Sequence, residues 1–259
     1  MASPIELSFS VVLLLFFAAL LAGYIDTLVG GGGLITIPAL MLAGLPPVFA
    51  LGTNKLQAVA GSGTATITLL AKGRVDFAQV RLLMLIAFAG SIAGAVLVQL
   101  INAEVLEYVV PFVIVLIALY FIFAPRASLD SSEAKVSNRV YASTAVPAIG
   151  FYDGMFGPGT GSFFVWAGVS MRGQGIVNST MIAKTLNFAT NIAALLVFIV
   201  YAKIVWKLGL IMMIAQSLGA RLGARSLMTI DPNMLRILVI TVCFVIPVSY
   251  THLTLPTKA

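Results

Sequence analysis

The sequence predicts an all-α polytopic membrane protein made of two homologous repeats with glycine-broken helices. Three observations lead there. First, 60% of the 259 residues are hydrophobic, 9% are charged, and the mean hydropathy is +1.08. An average soluble domain carries roughly 25% charged residues, and 15 basic and 9 acidic side chains cannot solvate a soluble surface of this size. Second, the charges are spaced by gaps of about one bilayer crossing. Third, the same motifs occur in the same order in both halves. This composition excludes a cytoplasmic enzyme, a nucleic-acid module and a disordered tail. The net charge of +6 and pI near 9.6 fit basic loops held against anionic lipid better than nucleic acid.

At about 20 residues per span, the chain has room for eight to ten membrane helices, counting half-helices. No charge lies between Glu6 and Asp26, between Arg81 and Glu104, or between Glu107 and Arg126. Helices are expected near 7–29, 34–44, 48–71, 77–101, 105–124, 140–156, 161–171, 176–201, 204–227 and 234–247. The first run lacks a basic leading segment and is read as a retained helix rather than a signal peptide. The elements at 34–44 and 161–171 reach only about 17 Å and are too short to span a core of about 30 Å. Glycine-rich breaks precede both, Gly30-Gly31-Gly32-Gly33 and Gly157-Pro158-Gly159-Thr160-Gly161. The expected organisation is a first repeat over 1–124, a polar linker loop over 125–139, a second repeat over 140–247, and a threonine-rich tail over 248–259 that reads as foreign to the fold.

The repeat is the most informative feature. Gly23-Tyr24-Ile25-Asp26 returns as Gly150-Phe151-Tyr152-Asp153, an offset of 127, and the glycine breaks follow at the same offset. The offset then becomes 129: Lys55 matches Lys184, Gly73-Arg74-Val75 matches Ala202-Lys203-Ile204, and Gly90 and Gly94 match Gly219 and Gly223. The last two pairs read as close helix packing. The breaks release backbone N–H and C=O groups that would each cost several kcal/mol in hydrocarbon, so they must face protein, water or a ligand. Matching interrupted helices in two halves are the signature of a midplane transport site.

Lysine and arginine set the orientation. If all ten elements cross, Lys72, Arg74, Arg81, Arg126, Lys135, Arg139, Arg172, Arg221, Arg225 and Arg236 share one side. Lys203, Lys207 and Lys258 share the other with both chain ends. That bias favours five crossings per half and inverted repeats. If the half-helices re-enter instead, the repeats are parallel.

Four ionisable groups sit at membrane depth: Asp26, Lys55, Asp153 and Lys184. Each costs a few kcal/mol unless paired or wetted. Asn54 and Gln57 flank Lys55, and Asn187 and Asn191 follow Lys184, with Thr53 and Ser62 as further polar groups. Helix N-termini after the breaks, at Gly31, Gly32, Gly33, Gly159, Thr160 and Gly161, add partial positive charge. This set suits a small anionic substrate bound by the lysines, amides and helix ends. Asp26 and Asp153 are candidates for coupling or gating, with protons as the coupling ion. The alternative is that the lysines pair with the aspartates as buried structural bridges. The two readings are compatible.

The segments 23–38 (GYIDTLVGGGGLITIP) and 51–58 (LGTNKLQA) resemble the first half of the TauE/SafE family of sulfite exporters, most closely its YfcA-type bacterial members. The segments 151–163 (FYDGMFGPGTGSF) and 183–191 (AKTLNFATN) resemble its second half. The resemblance runs from about residue 7 to 246. It implies a multi-pass permease of the inner membrane with duplicated halves that moves sulfite, sulfonates or organic acids. The family is usually drawn with about eight spans, which agrees with ten elements only if the half-helices are not counted.

No cofactor or metal is expected. The chain has one cysteine, Cys243, one histidine, His252, and no HExxH. An enzyme is not expected, because the only histidine, His252, lies in the tail; a lysine-based dyad on Lys55 or Lys184 is the one formal alternative. An anion channel and a non-transporting assembly subunit are the rival classes.

Overall fold

The computed structural model describes residues 8–123, 131–227 and 229. Among them there are ten helices: α1 Phe9–Val29, α2 Gly32–Leu42, α3 Pro47–Ala71, α4 Phe77–Gln99, α5 Ala103–Phe123, α6 Asn138–Ser143, α7 Ala145–Met155, α8 Thr160–Arg172, α9 Ile176–Val200 and α10 Trp206–Leu227. The expected helix at 234–247, the tail with His252, and Cys243 lie outside the described residues. So does 125–130 of the linker.

Local chemistry sets the helix ends. Ser8 and Asp76 cap α1 and α4 by accepting backbone N–H bonds at 3.4 and 2.9 Å. Pro47 opens α3, where its missing N–H costs nothing. The expected single helix at 140–156 is two helices broken at Thr144 (φ −120°, ψ −73°). Pro147 explains this: it has no N–H for the carbonyl of Ser143 and its ring clashes with a continuing turn. After α8, Gly173 adopts φ +63° and its N–H bonds to the Val169 carbonyl at 3.1 Å. The described part of the linker docks on this end, Ser132 donating to the Gly173 carbonyl at 2.8 Å and Lys135 to the Met171 carbonyl at 3.0 Å.

Among the described residues, three segments are long and apolar enough to cross a bilayer: Phe9–Leu28, Phe77–Gln99 and Ile176–Val200. α3 has the length, about 37 Å for its 25 residues, but its polar residues lower its hydropathy. Those residues are buried in protein rather than exposed to lipid: Thr53, Asn54, Lys55, Gln57, Ser62 and Thr66 are all nearly inaccessible.

Helix directions follow from paired contacts. Where α3 meets α9, Thr66 donates to the Lys184 carbonyl at 3.1 Å, Gly63 lies under the Phe188 ring, and Lys55 reaches Asn191. Residue numbers rise on one helix as they fall on the other, so α3 and α9 are antiparallel. In the same sense, the Val205 N–H at the far end of α9 donates to the Thr53 hydroxyl near the start of α3 at 3.0 Å.

The other main contacts are parallel and close. A Cβ on Gly90 or Gly94 of α4 would stand 2.4 or 1.9 Å from the carbonyl oxygens of Pro147 and Phe151 on α7. A Cβ on Gly219 or Gly223 of α10 would stand 2.0 or 2.7 Å from those of Leu20 and Tyr24 on α1. Only glycine lets backbones approach this closely.

Gly94→Ala and Gly219→Ala should therefore each destabilise the fold by about 1–3 kcal/mol, the usual cost of overpacking. Ala93→Leu, on the exposed side of α4, should be near neutral. Melting of the purified variants in one detergent checks the order.

Candidate functional site

α1 and α7 each stop at a glycine break, and each carries its aspartate in or near the last turn. Gly30 closes α1 at φ +90°. Gly157 and Gly159 take φ +94° and +77° between α7 and α8. These left-handed values strain any residue with a Cβ. The two breaks touch: a Cβ on Gly30 would lie 2.4 Å from the backbone of Gly161, and one on Gly33 would lie 3.2 Å from Pro158.

Asp26 joins the two sides of its own break. Its Oδ1 accepts the Gly32 N–H at 3.1 Å, so the carboxylate sits at the N-terminus of α2. The second break is tied differently. Tyr152 donates its hydroxyl to the Pro158 carbonyl at 2.6 Å, and the Thr160 hydroxyl donates to the Gly157 carbonyl at 2.8 Å.

Each lysine crosses to the opposite half. Lys55 of α3 pairs with Asp153 of α7, Nζ to Oδ1 at 3.0 Å, and also donates to the Asp153 backbone carbonyl and to Asn191 Oδ1 at 3.4 Å. Lys184 of α9 pairs with Asp26 of α1, Nζ to Oδ2 at 3.2 Å, and donates to the Asp26 backbone carbonyl. Both ammonium groups also border a break. The Cβ positions of Gly157 and Gly161 lie 2.9 Å from Lys55 Nζ and 3.2 Å from Lys184 Nζ. Glycine there leaves room for the lysine tips.

The bridges are not equal. The side chains of Lys55 and Asp153 are 1% and 2% exposed, whereas Asp26 is 12% exposed beside a fully buried Lys184. Asp153 Oδ2 is buried without a hydrogen-bond partner, whereas both Asp26 oxygens accept one.

The amides fall into two groups. Asn191 donates to the Asn187 backbone carbonyl and to its Oδ1, and its own Oδ1 faces Lys55. Asn54 Oδ1 accepts from Thr36 at 2.7 Å and from Gln57 at 3.1 Å, beside the first break. Gln57 Oε1 and Gln216 Oε1 are buried acceptors with no partner. The fold thus brings together Lys55, Asp153, Asn187 and Asn191 on one side and Lys184, Asp26 and Gly32 on the other, with the two breaks in contact between them. Thr36, Tyr152 and Gln216 are additional polar members that the sequence did not single out. Gln216 alone carries a signal, as an amide directly after the apolar run from Leu210 to Ala215.

A family described as sulfite exporter TauE/SafE matches residues 15–250. A probable membrane transporter protein, ORF9, of Sinorhizobium sp. is 42% identical over 237 residues, 92% of this chain and 91% of that protein. The probable membrane transporter protein YfcA of Escherichia coli K12 is 41% identical over 242 residues, 93% of this chain and 88% of that protein. A probable membrane transporter protein of Haemophilus influenzae is 38% identical over 239 residues, 92% and 94% of the two chains. No solved structure matches. The helical breaks, the buried charges and a family match over nearly the whole chain agree, and the chain belongs to the sulfite exporter TauE/SafE family of membrane proteins.

Proposed function

We propose that this chain is a secondary transporter of the bacterial inner membrane for small anions, sulfur-containing ones such as sulfite or sulfonates or else organic acids. Transport runs by alternating access. The observation that carries the reading is the pair of buried ammonium–carboxylate bridges, each crossing from one half to the other beside a glycine break. An anion enters by replacing a carboxylate at one ammonium, with the α2 and α8 N-termini and the Asn and Gln amides as further donors. Stability alone does not account for two buried ion pairs, since apolar groups of similar volume often serve as well or better.

The halves are inverted repeats. Under offsets of 127 and 129, the α10–α1 contacts Gly219–Leu20 and Gly223–Tyr24 correspond to the α4–α7 contacts Gly90–Pro147 and Gly94–Phe151. The equivalent helices α3 and α9 run antiparallel, which supports inversion over parallel duplication. In such carriers the two halves exchange conformations as the access side changes. The sealed Lys55–Asp153 bridge and the more open Lys184–Asp26 bridge are then two phases of one cycle. Protons are the coupling ion, and Asp153 is their carrier through its buried, donor-free Oδ2.

Proteoliposomes loaded in turn with sulfite, sulfate, thiosulfate, sulfoacetate and simple carboxylates test the carrier directly. Saturable uptake with counterflow of at least one anion is expected, and Lys55→Gln and Lys184→Gln should each lower it at least about tenfold, the loss of one charge-assisted contact. Flux without saturation or counterflow indicates a channel and overturns the reading, as does no flux of any anion.

Inversion predicts opposite sidedness for equivalent loops. After Cys243→Ser, an impermeant maleimide should label Arg74→Cys from the cytoplasmic side only and Lys203→Cys from the outer side only. Labelling of both from one side rejects inverted repeats.

Coupling has its own signature. An imposed proton gradient should accelerate uptake by the parent protein. In Asp153→Asn the gradient effect should vanish while counterflow persists, because the amide cannot carry a proton.

A further inference from the structure

A second cationic feature lies away from the bridges. A cleft of about 450 Å³ opens between the C-terminal third of α3 and the end of α10, lined by Thr64, Ile67, Thr68, Ala71, Lys72, Arg221 and Arg225. Lys72, Arg221 and Arg225 are exposed, and among the described residues none of them has a carboxylate within ion-pair distance. Thr68 spends its hydroxyl proton on the Thr64 carbonyl at 2.7 Å, so the charged donors at the cleft are the two guanidiniums and the ammonium, with the Thr64 hydroxyl beside them. Three uncompensated cations in one concavity attract an oxyanion, and two guanidiniums suit a phosphate.

The surroundings narrow the source of that oxyanion. Leu210, Ile214, Leu218 and Leu222 are 47–60% exposed and recur every four residues along α10, ending beside Arg221 and Arg225. Ile67 of α3, in the cleft wall, is 64% exposed. A cation cluster at a helix end, continued by an open apolar stripe along the same helix, has the shape of a phosphate head above an acyl chain. The other half gives the comparison. At the positions 129 residues away, Arg221 and Arg225 become Ile92 and Val96, and Lys72, Thr68 and Thr64 become Tyr201, Val197 and Ala193. A cation-free apolar version of this surface is therefore compatible with the fold, and the three cations belong to one end of the molecule only.

We propose that this cleft binds the phosphate of an anionic phospholipid, with Arg221 and Arg225 as its main ligands, Lys72 as the third cation and the α10 stripe beneath the acyl chains. The site is separate from the Lys55 and Lys184 bridges and does not depend on what the protein transports.

The test is native mass spectrometry of the delipidated protein in detergent, titrated separately with phosphatidylglycerol, phosphatidylethanolamine and inorganic phosphate. The parent protein should retain phosphatidylglycerol about tenfold better than phosphatidylethanolamine, as expected for two cations near a lipid headgroup. Arg221→Gln/Arg225→Gln should abolish that preference, and Lys55→Gln should keep it. Binding of inorganic phosphate without a lipid preference assigns the cleft to a soluble anion and overturns the proposal. Equal retention of both lipids by the parent, or an unchanged preference in the double variant, also overturns it. The parent's melting temperature is a second readout that needs no folded variant. It should rise more with phosphatidylglycerol than with phosphatidylethanolamine, and an equal rise overturns the proposal without any variant.

Discussion

The requirement that no charge or backbone group be left bare at membrane depth governs this molecule. Two helices stop at glycine breaks in the packed interior, and the groups freed at each stop need partners. The chain meets this need by bringing the breaks together and reaching into them with lysines from the opposite half. Each ammonium takes both a carboxylate oxygen and a backbone carbonyl of the same aspartate. Each lysine thereby neutralises the charge and adds a donor to a main-chain carbonyl near the end of the helix; the Asp26 carbonyl also accepts the Gly30 N–H at 2.7 Å. Removing one partner of a buried pair costs about 3–5 kcal/mol because the other charge is left uncompensated, so each bridge also locks the two halves together.

Small residues make this arrangement possible. The bridges span the halves only because α1 lies against α10 and α4 against α7 at distances that exclude even a Cβ. The same holds at the breaks, where Gly30 meets Gly161 backbone to backbone and Gly157 and Gly161 make room for the lysine tips. Glycine thus serves two purposes at nearby places: positive φ at the chain reversals, and space for an ammonium group at the site. A methyl at Gly161 would obstruct the partner break and Lys184 together.

Much of this was legible in the sequence. The breaks were visible as glycine clusters in apolar surroundings, and the four buried charges as isolated exceptions to a hydrophobic pattern. The sequence predicts a start of α2 two residues late because Gly32 and Gly33 have poor helix propensity, yet the Asp26 carboxylate holds the Gly32 N–H and extends the helix. A single helix over 140–156 is expected because the segment is largely apolar, although Ser143-Thr144 and Pro147 mark the break. Which lysine meets which aspartate was not legible, because partners 98 and 158 residues apart are chosen by helix packing and not by spacing. The inequality of the two bridges was hidden for the same reason. It arises from unlike neighbours, the Gly32 N–H at Asp26 and Asn191 at Lys55, of which Asn191 stands where the first half has Ser62.

That inequality matters for the proposed function. If both lysines stood free, their field would hold an anion tightly from either side, and a tight site of equal affinity in both states shifts nothing between them. Pairing each lysine with a carboxylate makes the empty site nearly neutral, so an anion gains only the difference between its own contacts and those of the carboxylate it replaces. A ligand moves a conformational equilibrium by no more than its differential affinity for the two states. Bridges of unequal accessibility supply such a difference: the ammonium beside the more open Asp26 can be reached at smaller cost than the one sealed against Asp153. Exchanging the two environments between halves would then move the bound anion from one access to the other.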